Sequence, residues 1–301
     1  MNRACLCWMV LTVNTLIPVS LARGQEQEPE QKTEEPQEKD PGWSNVADVG
    51  IVALAGNTSS ITLQIDNKLR YRTEKQEWTL WAGGLKIEPS QRPIAVGTVD
   101  DFEVVEPSRF VAAARYYIAS RFERKISKNF FGVGGGSWSR DQNAGIEDLL
   151  SLYGGLGNIW LDSPEHNLRT DCAIAFTHRV EDIPDPEKDE RYPDARFAME
   201  YVIGFGKHAK FDSNFILNAH IGDAADYRFT LSNAVTASLT NIFSLRGSLQ
   251  LFYFNQPSLE EISLYSVPPD QGGVADGTVL IQREKLDMSL KLSLVVTFWG
   301  S

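Results

Sequence analysis

The chain has 301 residues, of which 42% are hydrophobic, and its 40 acidic and 29 basic side chains leave a formal net charge of -11. An acidic surface repels phosphate, so nucleic acid is excluded as a partner. The cysteines, Cys5, Cys7 and Cys172, are too few and too scattered for a disulfide scaffold.

The N-terminus reads as an export signal. Met1-Asn2-Arg3 is a positively charged start, Ala4 to Ala22 is mostly apolar, and Ser20-Leu21-Ala22 supplies small residues before a cut after Ala22 or Gly24. A retained membrane anchor is the competing reading, opposed by Thr12, Asn14, Thr15 and Pro18 within the run. Neither Cys5 nor Cys7 stands at the end of that run, where a lipid-anchor cysteine would be. The expected divisions are a signal peptide at 1–24, a disordered acidic periplasmic tether at 25–41 and one large domain at 42–301. The tether, Gln25 to Pro41, has no aromatic or aliphatic side chain, so it cannot bury enough surface to offset the entropy of ordering.

Beyond Gly42 the hydrophobic period is two. Ile61, Leu63, Ile65, Leu69 and Tyr71 alternate with Thr62, Gln64, Asp66, Lys68, Arg70 and Arg72, and Leu286, Met288, Leu290, Leu292, Leu294, Val296 and Phe298 with Asp287, Ser289, Lys291, Ser293 and Thr297. Helical spacing would scatter these apolar residues around the whole circumference. The pattern predicts strands at 44–55, 60–72, 77–87, 109–121, 129–139, 146–161, 167–179, 196–206, 213–222, 226–239, 244–255 and 285–298. Gly83, Gly84, Gly132, Gly134, Gly135, Gly136, Gly154, Gly155 and Gly157 blur three of them and suggest bulges or bends. Many stretches exceed the usual five or six residues and match the roughly nine to eleven that cross a bilayer at a tilt. The fold class is therefore all-β, an antiparallel up-and-down transmembrane barrel of about twelve strands.

Connection lengths alternate as such a barrel requires. Long segments near 88–108, 180–195 and 256–284 fall on one side, and short ones near 73–76, 162–166 and 240–243 on the other, the periplasmic side. Tyr71, Phe122, Trp160 and Phe205 fall at periplasmic strand ends, where an aromatic girdle sits. On this reading Leu292→Arg harms assembly while Lys291→Leu is tolerated. The partners are outer-membrane lipid, lipopolysaccharide and the barrel assembly machinery, and the compartment is a bacterial outer membrane.

The segment Phe130 to Asp182 contains Arg140-Asp141, Ala144-Gly145-Ile146 and Gly154-Gly155-Leu156-Gly157, and Gly56-Asn57-Thr58 follows the first strand. In the order and spacing of these motifs the chain, from about Val46 to Phe298, resembles the YdiY-like, salt-stress-induced outer-membrane protein family, a family of unknown function. The resemblance implies a barrel in a Gram-negative-type outer membrane and no assigned reaction.

Sites of chemistry are sparse. His166, His178, His208 and His220 lack both a nucleophile signature and metal-ligand spacing, so no metal, cofactor or catalytic residue is expected. His220 with Asp223 comes nearest to a base with an orienting acid. The acidic loop from Glu181 to Arg191 has carboxylates suited to a hard divalent cation, against the plainer reading of a solvated loop. Gly132 to Gly136 lacks the Lys-Ser/Thr and the helix of a phosphate-binding loop. The fullest constellation is a basic polar face: Lys68, Arg70, Arg72, Arg115, Arg121, Arg169, Arg179, Arg196, Arg228, Arg246 and Lys291 outnumber Asp66, Asp171, Glu200 and Asp287. A ring of one charge sign would favour anions in a pore, whereas ion pairs and large polar side chains would close the interior. The expected function is a non-enzymatic outer-membrane barrel, either a narrow pore or an envelope stress or structural protein. The alternatives are a soluble periplasmic barrel holding an apolar ligand and an outer-membrane enzyme.

Overall fold

A computed structural model describes residues 42–55, 60–206 and 208–299. The predicted signal peptide, the tether and the Gly56-Asn57-Thr58 turn lie outside the described residues. The strands are β1 Gly42–Ala55, β2 Ser60–Arg72, β3 Gln76–Gly97, β4 Phe102–Lys125, β5 Phe130–Asp141, β6 Ile146–Asp162, β7 His166–Glu181, β8 Arg191–Phe205, β9 Ala209–His220, β10 Tyr227–Ser238, β11 Phe243–Phe254, β12 Leu259–Tyr265, β13 Ala275–Gln282 and β14 Leu286–Trp299. From β1 to β11 each strand pairs antiparallel with its chain neighbours, and β14 pairs with both β11 and β1. That last pairing closes a twelve-stranded antiparallel barrel.

The alternation decides which side is greasy. Leu290, Leu292 and Leu294 point outward and are exposed, and so are Ile61, Leu63 and Ile65, while Ser289, Lys291 and Ser293 are buried inside. In water such a continuous apolar surface would be an aggregation hazard; on a barrel it is the face that meets lipid. This outward phase rules out the soluble alternative, whose apolar side chains would fill the interior.

The five short turns at one end, 73–75, 126–129, 163–165, 206–208 and 239–242, mark that end as periplasmic by the rule for outer-membrane barrels. Hydroxyl residues set four of them. The Gln76, Phe130, His166 and Phe243 amides donate to the side-chain oxygens of Thr73, Ser127, Ser163 and Thr240 at 2.9–3.2 Å. Tyr71, Phe122, Trp160 and Phe205 stand exposed on the outer wall at this end, joined by Trp43, Phe130, Phe243 and Phe298. The Trp78 and Trp160 indoles donate to Ser120 and Thr170 at 2.8 Å, which satisfies the polar edge of rings whose bodies face lipid.

Two long connections differ from their sequence reading. Residues 88–108 are not a loop: β3 and β4 continue as a hairpin to a tight turn, in which Thr98 and Asp101 exchange backbone hydrogen bonds of 2.8 and 3.2 Å. The 256–284 segment holds β12 and β13, whose hairpin adds to the β3 extension through Leu264 opposite Ala95 and Tyr265 opposite Val96, in parallel. Ala95, Ile262, Leu264 and Val279 bury one another there, with Phe102 and Ile281 against them. Neither element shows strict alternation over enough residues to be read from sequence.

Candidate functional site: the barrel interior

Period two carries polar side chains from every wall strand into one lumen, where they find one another. Lys291 on β14 reaches Asp48 on β1 at 2.7 Å and Asp66 on β2 at 2.6 Å. Tyr117 on β4 donates to the same Asp66 at 2.8 Å. The close approach is allowed by Gly83, where a Cβ would lie 2.1 Å from the Asp66 carboxylate and 2.7 Å from the Tyr117 ring. Further around, Arg121 on β4 bridges Glu123 at 2.5 Å and Asp171 on β7 at 2.7 Å, and Arg196 on β8 holds the other Asp171 oxygen at 2.7 Å. Arg169 links Glu123 to Glu200. The Arg121–Asp171 and Arg169–Glu123 pairs cross β5 and β6, where Gly135, Ser137, Ser151, Gly155 and Gly157 are small inward positions. At Gly157 a side chain would run into the Phe131 ring.

Three sets of contacts fill the outer half of the lumen. Val52, Leu54 and Leu85 form a buried apolar cluster at the β1–β3 side. Arg115 on β4 lies over the Phe252 ring on β11 at 4.6 Å, and Arg179 on β7 over Phe254 at 5.5 Å, so guanidinium groups span the lumen to aromatic faces on the other wall. Arg228 joins Asp194 at 2.6 Å, Thr177 at 3.1 Å and Tyr192 at 3.2 Å in a cluster with no solvent access at Asp194 or Thr177.

Above that cluster the β11–β14 connection crosses the mouth. Lys188 donates to the Pro257 carbonyl at 2.8 Å and Arg179 to the Gln256 carbonyl at 3.2 Å. Ser258 bonds to the Ala144 carbonyl, and Arg283 donates to the Asn143 carbonyl at 3.0 Å. Residues 143–144 belong to the β5–β6 turn, which stands diametrically opposite β11 and β14 in the strand order. Gly145 makes that seat possible: its φ is +66°, and a Cβ would meet Ser258 Oγ at 2.4 Å and Arg283 Nε at 2.6 Å.

The structure turns the eleven basic residues named from sequence toward the interior, but it surrounds them with carboxylates that the sequence reading left out. Asp48, Glu77, Glu123, Asp141, Glu181, Asp194 and Asp212 each pair with a lumen cation. The signal was available: Glu123, Glu181 and Asp194 stand two residues from Arg121, Arg179 and Arg196, the spacing that puts both on one face of a strand. His220 does not use Asp223. Its nearest acid is Asp226 at 4.0 Å, and its ring packs 4.3 Å from Tyr192, whereas Asp223 accepts from Gln256 at 3.0 Å. In the acidic loop Lys188 takes Glu181 at 3.2 Å and Asp185 at 3.7 Å, so protein cations already engage those carboxylates. Among the described residues no group of three or more His, Cys, Asp or Glu is placed to hold a metal ion. Cys172 is exposed on the lipid face.

The model of a family described as proteins of unknown function, DUF481, matches residues 47–262. The chain belongs to the DUF481 family. The YdiY-like resemblance, read from about Val46 to Phe298, agrees with that match, which includes its motifs at 130–182. No curated protein matches this DUF481 chain. Among solved structures it is similar to the NanC porin, with 10% identity, a TM-score of 0.47 and coverage of 83% of this chain and 98% of that one. It is also similar to the KdgM porin in complex with disordered oligogalacturonate (5%, 0.42, 84% and 99%) and to an anion-selective porin from Comamonas acidovorans (8%, 0.40, 87% and 100%).

Proposed function

We propose that this protein is a non-enzymatic outer-membrane barrel whose resting lumen is closed, an envelope structural or stress protein rather than a standing pore. The observation that supports this best is the seal in the outer half, where Arg115 spans to Phe252 and the β11–β14 connection is seated on residues 143–144. An enzyme in this position needs a reactive group open to substrate. The interior His220 lies buried between Tyr192 and Asp226, beneath the connection. On this reading residues 1–24 are removed on export, 25–41 tether the barrel on the periplasmic side, the assembly machinery inserts it, and its outer wall meets lipid and lipopolysaccharide.

The test is a planar-bilayer recording on the refolded full chain in a KCl gradient. The proposal expects no resolved conductance steps. Steady ohmic steps would overturn it, and their reversal potential would then show whether the lumen cations, Arg169, Arg196 and Arg228 among them, give the anion preference of a narrow pore.

A further inference from the structure

The two halves of the lumen differ in access and in charge. Below the seal the interior side chains open toward the periplasmic end: Lys210 is 53% exposed, Glu200 42% and Arg70 31%, against 4% for Arg179 above. Lys68, Arg70 and Lys210 converge there from β2 and β9, close enough for each neighbour's charge to act on Lys68. The carboxylates within the same reach, Glu77 and Glu200, already have partners. Arg72 holds Glu77 at 2.5 Å with Arg70 at 3.6 Å, and Arg169 lies 3.7 Å from Glu200.

Lys68 differs from the other lumen cations. Among the described residues no carboxylate lies within 4.0 Å of its ammonium, which stands over the face of Trp81 at 5.4 Å. A half-buried ammonium with three donors and an aromatic wall, beside two further cations and facing an opening, is the chemistry that recognises an oxyanion.

We propose that the periplasmic half of the lumen is a blind pocket that binds the phosphate or carboxylate group of a small molecule entering from the periplasm, with Lys68 as its central contact and Lys210 and Arg70 around it. This rests on the closed reading only for the word blind; the anion contact itself stands whether or not the barrel conducts.

Titration of the refolded full chain with inorganic phosphate, followed by phosphorus NMR line broadening and by calorimetry, with acetate as a second probe, tests it. Saturable binding by either probe is expected. Lys68→Met should weaken it by about tenfold or more, Lys68→Arg should restore most of it, and Lys128→Met at the exposed β4–β5 turn should leave it unchanged. Heat-dependent gel mobility confirms that each variant is folded. Absence of saturable binding by both probes, or equal binding in the wild type and a folded Lys68→Met variant, overturns the proposal. A planar-bilayer trace with steps but with Lys68-dependent phosphate binding would remove the closed reading and leave the pocket standing.

Discussion

The outer and periplasmic halves of the lumen are built from the same residue types and end in opposite states. In the outer half Arg115, Arg179 and Arg228 reach an aromatic face, a carbonyl and a carboxylate, and the chain itself is laid across the top. In the periplasmic half Lys210 and Arg70 are more exposed, and among the described residues no carboxylate lies within 4.0 Å of the Lys68 ammonium. Charge on an inner face therefore does not define a pore. What matters is whether each charge is answered from a neighbouring strand, and whether a connection is long enough to cross the mouth.

The comparison is broken most severely by removing a cation from an answered site. Lys291→Leu leaves the half-buried Asp48 and Asp66 beside each other without the buried ammonium that joins them, a loss of about 3–5 kcal/mol. The sequence reading expected that change to be tolerated, because position 291 lies on the polar face, away from lipid. Leu292→Arg, one residue away but facing lipid, costs about 2–4 kcal/mol at mid-membrane depth. Urea unfolding of both variants in lipid vesicles should order them this way. A tolerated Lys291→Leu would show that the inner pairs contribute little.

Gly145→Ala sharpens the comparison from above. The left-handed φ of this residue and its contact with Ser258 and Arg283 make the loss local, about 1–3 kcal/mol, and it should loosen the crossing connection without unfolding the wall. Protease added to intact cells should then cut between 255 and 285 faster than in the wild type, with heat-dependent mobility retained.

The twelve wall strands were legible because a bilayer on one side and a polar lumen on the other impose a strict period of two over a dozen residues. The Lys291–Leu292 neighbours in β14 show it directly. The same logic placed Tyr71, Phe122, Trp160 and Phe205 at the periplasmic rim. The outer hairpins were not legible. β12 is seven residues long and pairs through only two positions with β3, so its apolar residues, Ile262 and Leu264, read as loop. The glycines of β5 and β6 were read as bulges or bends, but at Gly157 the missing side chain makes room for Phe131. Glu123, Glu181 and Asp194 were legible from their two-residue spacing to an arginine, but a pairing that crosses two intervening strands, as from Arg121 to Asp171, was not, because sequence alone gives the face of a residue and not its neighbours around the barrel.

The smallest expected effect is a pH response confined to the outer hairpin. The Ser266 hydroxyl, and after it the Ser266 amide, donate to Asp276 and hold its carboxyl below the ordinary value of 3.8. A depressed folded pKa stabilises above the unfolded value, so this latch is complete above about pH 4. It is lost as pH falls through the lowered value. Hydrogen exchange at the Ser266 amide should accelerate, relative to its intrinsic rate, only below pH 4, and Asp276→Asn should abolish that transition.

The central claim, a lumen sealed outside and open toward the periplasm, is tested most directly by a cysteine at Ser248, an inward position of β11 level with Lys291. In a chain carrying Cys172→Ser, a membrane-impermeant maleimide added to intact cells should leave Ser248→Cys unlabelled, and the same reagent admitted to the periplasm should label it. Equal labelling from both sides would mean that the outer mouth is open and would contradict the account.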